Sequence, residues 1–440
     1  YIHTMYMHSN NLNGTIPSVL GYLTSLNSLY LKSNYLTGSI PEGITDLTNL
    51  IYIYLDANLL NGSLPSSIGN MVHLDTAHLQ NNILSGTIPS SIGSLSLLYR
   101  LYLNNNYNIC GSLPTTIGGM ANLNGFKIQY NSLSGSLPST IGHLSELEDL
   151  YLYNNQLTGT LPTAIGSLTK IENMYLEANL FTGSIPNSIT QLPLLQSLYI
   201  HSNKINGSMP SEIGKLSSLT SLFLNSNMLQ FSIPTSLTSC TNMVNLYLYG
   251  NQLTGGLPSA IGNMAKLSYL WSYDNSLSGS IPTSIGAMTN LEYVSLYNNR
   301  ISGVIPSSIG ELQRVSILYL YNNQIQGSLP STIGKLTNLD IFNVAINQLT
   351  NSIPSTIGAL TRLTYLSICD NMLTGSIGSH IGLLIKLEYL FLYNNNLNSS
   401  IPSEIGTLTN LFNLDLHLNS MSGTIPDSIG ALSKLAYLYL

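Results

Sequence analysis

The chain has 440 residues, only 7% of them charged, and 13 Lys and Arg against 19 Asp and Glu give a net charge of −6. Soluble domains average about 25% charged residues, so Ser, Thr, Asn and Tyr supply the polarity here, or glycan or neighbouring protein covers the surface. Thirteen cations scattered over this length make no basic stripe, which excludes nucleic acid as a partner.

An asparagine ladder begins at Asn10 and runs through Asn34, Asn58, Asn82, Asn106, Asn131 and Asn155 to Asn419. The step is 24 residues, with one step of 25, and eighteen repeats fill the chain. One phrase returns around each Asn, as in Leu29, Tyr30 and Leu31, then Asn34, then Leu36, Gly38, Ile40 and Pro41. Its first three residues alternate with period two, predicting a short strand with both leucines inward and Tyr30 outward. Stacked copies predict a parallel sheet. The Asn beyond the strand is expected to turn its amide inward, onto backbone groups that the bend leaves unpaired. Gly and Pro then carry the chain round the flank, with Gly378 replacing the Pro in a single repeat. The closing Ile-Gly-x-Leu segment is too short for a long helix and predicts a 3-10 turn.

A fixed period of roughly 20 to 29 residues with this core is the mark of a leucine-rich repeat solenoid. Ser39-Ile40-Pro41, Ser63-Leu64-Pro65, Thr87-Ile88-Pro89 and their counterparts resemble the plant-type subclass of that family, over residues 5–440. The resemblance implies a curved and twisted superhelix, a second small sheet at the Gly-Ser/Thr-Ile segment, and extracellular work in a receptor ectodomain or secreted inhibitor. A solenoid grows by adding neighbour interfaces, so residues 1–440 are expected to form a single repeat array.

Ile2–Met7 and Leu435–Leu440 occupy the same repeat phase and carry no polar cap. Either the sequence is an excerpt of a longer protein, or copies stack head to tail into a filament. The extra residue in Asn104–Gly111 predicts a small bulge. Glu148 and Glu172, with Asp149 nearby, have the spacing of a retaining glycosidase pair but no lid to exclude water, so they read as a solvated acidic patch. His8, His201 and His417 share a column yet lie many repeats apart, so no metal and no cofactor is expected. Cys110, Cys240 and Cys369 are too far apart to bridge. They read as buried or partly buried thiols, with Cys369 the outward exception. Phe231, Asn351 and Ser399 replace the flank Gly, predicting turns of non-glycine geometry. Asn13, Asn61, Asn206 and Asn398 head glycosylation sequons, although the repeat itself supplies the Gly-Ser/Thr that makes them.

The outward strand position is aromatic in 13 of 19 strands. The ladder thickens around the single tryptophan, where Tyr247, Tyr249, Tyr269, Trp271, Tyr273, Tyr297, Tyr319 and Tyr321 gather with Asp274 at the rim. Tyr and Trp anchor interface centres; they also suit strands simply as cross-strand packing. No nucleophile, phosphate loop or membrane span is apparent, so an enzyme is not expected. The sequence points to an extracellular recognition module binding a protein, peptide or polysaccharide. Self-association into a filament or matrix is the alternative, and ice binding through the hydroxyl column of Thr15, Ser39, Ser63 and Thr87 is a minor one.

Overall fold

A computed structural model describes residues 2–440, which form two compact units, the first ending at Met228 and the second spanning Leu229–Leu440. Each unit is a leucine-rich repeat solenoid. The first holds ten three-residue parallel strands of the main sheet type and the second nine, with nine 3-10 turns in each. Neighbouring strands pair with no slip, as Ser28↔Tyr52, Leu29↔Ile53 and Tyr30↔Tyr54. The 24-residue period therefore puts equivalent side chains directly abreast. Leu150, Leu152, Leu157, Leu161, Ile165, Leu168 and Ile171 show the inward set of one repeat, each at most 4% exposed.

The ladder Asn turns inward as the sequence predicts and ties two repeats together. Asn179 Oδ1 accepts the Leu157 N–H at 3.0 Å, while its Nδ2 donates to Leu152 O at 3.0 Å and Leu176 O at 3.1 Å. Leu152 and Leu157 belong to the preceding repeat, so one amide satisfies backbone groups on both sides of the interface. The bend that aims it is left-handed: the residue before each ladder Asn has positive φ, from Ser9 and Ser33 to Asn394 and Leu418. Asn and Asp tolerate that geometry, whereas Ile346 and Leu418, at φ 54°, occupy it under steric strain. The extra residue of the 25-residue repeat interrupts the ladder. Tyr107 takes φ 59°, and Asn131 keeps its three donated bonds while its buried Oδ1 accepts none.

On the flank, short secondary strands pair with a different offset. Asn13↔Tyr35 and Thr15↔Thr37 lie 22 residues apart, against 24 in the main sheet. Each pairing therefore slips by two residues and lasts only two or three, which is why the second sheet exists in pieces of two or three strands. The expectation for Phe231 and Asn351 is corrected: both keep the glycine-like left-handed angle, at φ 67° and 65°, because pairing with the neighbouring turns dictates the backbone there. Ser399 alone of the three leaves the left-handed region. The 3-10 turns pack closely enough that a Cβ on Gly166 would meet Ser188 O at 2.4 Å, which accounts for the Gly that follows the Ile in most repeats, while Thr45, Thr190 and Thr238 take its place in three.

The cysteine reading is also corrected. Cys369 is buried, 4% exposed, and Cys110 is the exposed one. Although Cys369 projects to the outward side, Ser367 and Tyr393 close over its Sγ.

Replacing Asn179 with Leu leaves the Leu157 N–H and the Leu152 and Leu176 carbonyls without their partner, at roughly 1–3 kcal/mol for each group. Hydrogen exchange should accelerate at Leu157 and its neighbours before the chain ends; exchange altered only at the ends would refute this role for the Asn.

Candidate functional site

Strand alternation sends one side chain per repeat outward between two core residues, and in-register pairing sets these about 4.8 Å apart. That spacing matches aromatic stacking. In the first unit Tyr30 stacks on Tyr54 with centroids 4.6 Å apart and planes 9° apart, and Tyr151 on Tyr175 at 4.5 Å. Each ring covers its neighbour's face, so a filled column presents ring edges to solvent.

In the second unit the columns multiply. Tyr247 stacks on Trp271 at 4.7 Å and 5°. Beside them Tyr249, Tyr273, Tyr297 and Tyr321 form a second column with successive centroids 4.4 Å apart. Tyr269 stacks on Tyr293 at 5.1 Å in a third. The structure thus brings together every aromatic residue of the predicted patch, and it leaves all of them half-buried by one another. Asp274 sits exposed at the edge, accepting from Asn298 Nδ2 at 2.6 Å, and Asn298 accepts in turn from Asn322 at 2.8 Å.

A gap in the first column emerges only from the packing of neighbouring strands. Strand pairing sets Trp271, Ser295 and Tyr319 abreast, so a small residue interrupts the first column between two rings. The result is a slot of about 320 Å³. Trp271 and Tyr319 form its ends, Tyr273 and Tyr297 one side, Tyr293 and Ile317 the other. Tyr319 stands edge-on to Tyr297 and Tyr321, at 89° and 88°, so its ring is turned out of the neighbouring column's stack. The available signal was Ser295 itself, a small residue in a column that is aromatic in 13 of 19 strands.

Burial raises the hydroxyl of Tyr273 to about 12, with Tyr249 and Asp274 adding to it, and burial likewise raises Tyr297 and Tyr319. These phenols stay neutral through physiological pH and serve as hydrogen-bonding groups. A larger hollow of about 520 Å³ in the first unit, lined by His73, Asp75, Tyr99 and Glu146, lies off the aromatic columns.

The remaining sequence candidates fall into structural roles. Asp149 is bound by Lys127 at 3.1 Å and by Asn173 Nδ2 at 3.0 Å, and Glu172 by Gln196 at 3.0 Å. Among the described residues no group of His, Cys, Asp and Glu could hold a metal ion, and no helix is long and apolar enough to cross a membrane. Asn13, Asn61, Asn206 and Asn398 are all exposed.

The chain belongs to the leucine-rich repeat family, in its plant-type subclass. Two family models described as leucine-rich repeat match it, one over residues 1–60 and 146–205, the other over 242–264, 290–312, 314–336 and 386–408. The Arabidopsis receptor kinase HAESA, solved with the peptide hormone IDA and the co-receptor SERK1, is 34% identical with a TM-score of 0.81, covering 100% of this chain and 78% of its own. The plant peptide hormone receptor RGFR1, solved with RGF2, is 33% identical with a TM-score of 0.79 at the same coverage. A leucine-rich repeat protein of Leptospira interrogans is 33% identical with a TM-score of 0.66, covering 86% of this chain and 93% of its own. A search of curated protein sequences gives no match.

On the first unit's outward face, burial pushes Glu177 up to about 7, against 4.5 in the open chain. The folded state therefore favours the protonated acid. Its cost to stability is absent below pH 4.5, grows as pH rises from 4.5 to about 7, and is fully present above that. Glu177→Gln should melt above wild type at pH 8, by roughly 1–2 kcal/mol once partial solvent exposure is discounted, and match it near pH 4. A difference independent of pH in thermal melts would refute the assignment.

Proposed function

We propose that this protein is a non-enzymatic extracellular or cell-surface recognition module that holds an extended peptide against the outward sheet face of its second unit. The observation that carries this reading is the slot at Ser295, where ring surfaces and phenol groups converge, with the Asp274 carboxylate at the edge of the neighbouring tyrosine column. The proposed contact set is Tyr247, Tyr249, Tyr269, Trp271, Tyr273, Asp274, Tyr297, Tyr319 and Tyr321. Support comes from RGFR1 and HAESA, the first a peptide hormone receptor and the second solved holding a peptide hormone. The chemistry agrees: rigid aromatic side chains give contact area at small entropic cost, and the phenol hydroxyls offer donors and acceptors to a peptide backbone. Glycans on Asn13, Asn61, Asn206 and Asn398 would lie on the exposed flank, leaving the sheet face free.

Peptides selected from a displayed library against the full chain test the reading. Trp271→Ala with Tyr297→Ala should weaken the selected peptides at least thirtyfold, since truncating a central interface residue costs roughly 2 kcal/mol or more. Tyr30→Ala with Tyr54→Ala, in a closed stack of the first unit, should change affinity less than threefold. Equal losses from both pairs would favour a fibrous or polymeric partner bound along the whole ladder, and no loss from either would remove the aromatic face as the binding surface.

A further inference from the structure

The first aromatic column is interrupted in both units, at His78, Lys127, Ser295, Asn343, Ser367 and Asp415, and Lys127 and Ser295 fill two of these places differently. In the first unit Lys127 stands between Tyr102 and Tyr151, abreast of both. Its ammonium lies 5.2 Å from the Tyr102 centroid and 4.3 Å from that of Tyr151. The protein thus fills a one-residue gap between two rings with a cation. In the second unit Ser295 holds the equivalent place between Trp271 and Tyr319, and its short side chain reaches neither ring face. Strands two steps apart lie roughly 9–10 Å from one another, so a cation midway falls within the ~6 Å reach of both rings.

The surroundings carry the matching charge. All four cation–π contacts among the described residues involve Lys32, Arg100 and Lys127 of the first unit, and none lies in the second. Asp274 borders the second tyrosine column. Asp340 directly precedes the strand that pairs with Ile317–Tyr319, and Glu292, directly before Tyr293, accepts from the Tyr269 hydroxyl at 3.4 Å. Asp149, which pairs with Lys127, has Ile317 as its counterpart, so the charge around the slot comes from the rim. A planar, weakly hydrated cation suits a slot between two rings better than a compact ammonium, because it can stack on one ring while its edge N–H groups reach toward the second ring and the carboxylates.

We propose that the slot at Ser295 binds the guanidinium of an arginine side chain, inserted between Trp271 and Tyr319 by a peptide partner. This inference rests on the peptide-binding reading and names the residue such a peptide must carry.

Trp271 is the sole tryptophan, so its fluorescence reports the slot directly. Capped tripeptides Gly-Xaa-Gly are titrated into the full chain, with Xaa as arginine, lysine, citrulline or phenylalanine. The arginine peptide should change the emission saturably and bind roughly tenfold more tightly than its citrulline counterpart, which keeps the shape and loses the charge. Ser295→Tyr, which closes the column as elsewhere in the chain, and Ser295→Lys, which copies Lys127, should each abolish that response while circular dichroism and melting temperature hold. Equal binding of citrulline, tighter binding of phenylalanine, no response to any tripeptide, or an undiminished response in Ser295→Tyr would each overturn the proposal. The two readings separate cleanly. Library peptides that lack arginine, tolerate Ser295→Tyr and fail on Trp271→Ala/Tyr297→Ala would sink the arginine slot and leave peptide recognition standing. A saturable arginine response lost in Ser295→Tyr, with no library peptide bound, would do the reverse.

Discussion

Every turn of each unit bends sharply as it leaves its strand, and the bend strands backbone donors and acceptors inside the solenoid, where water cannot reach them. The ladder Asn resolves this with one carboxamide. Its oxygen takes an N–H from the preceding repeat and its nitrogen serves carbonyls of both repeats, as Asn179 does for Leu157, Leu152 and Leu176. Only a side chain with an acceptor and two donors at this length can do so. The left-handed residue before it is the geometric condition for that aim, accepted even at Ile346 and Leu418. Asn131, beside the extra residue, shows the tolerance of the device: a shift of one position in the neighbouring loop silences its oxygen, yet three bonds to carbonyls keep the side chain in place.

The same regularity shapes the outer face. Because strands pair without slip, identical residues recur at about the stacking distance of aromatic rings, and a tyrosine column packs against itself. Filled columns such as Tyr151, Tyr175 and Tyr199 are consequently closed surfaces. Chemistry becomes available where the repeat fails. Lys127 closes one failure from within, and Ser295 leaves another open beside a second and a third ring column. Low overall charge sharpens the contrast, since with few charged groups along the face those near the slot set the local field.

Crowding on this face also carries an electrostatic cost. Glu177 lies between Tyr153 and His201 in the second outward column, where burial favours its neutral form, and burial likewise lowers His201. Both respond to packing among outward side chains, so the face behaves in places like a partly dry interior.

The repeat, the inward leucines, the 3-10 turns, the turned-in Asn and the aromatic face were all legible in the sequence, because each is a local pattern repeated at constant spacing. A single period fixes the strand partners, and that makes long-range register readable from a list of residues. Three features were decided only by tertiary structure. Phe231 and Asn351 keep the left-handed angle of glycine because the neighbouring turns impose it, overriding the preference of the residue. Cys369 points outward yet is buried, since exposure depends on Ser367 and Tyr393 closing above it. The slot at Ser295 depends on what stands on both sides of a small side chain and on the turning of Tyr319 away from stacking. A sequence counts rings; only packing determines which faces they leave uncovered.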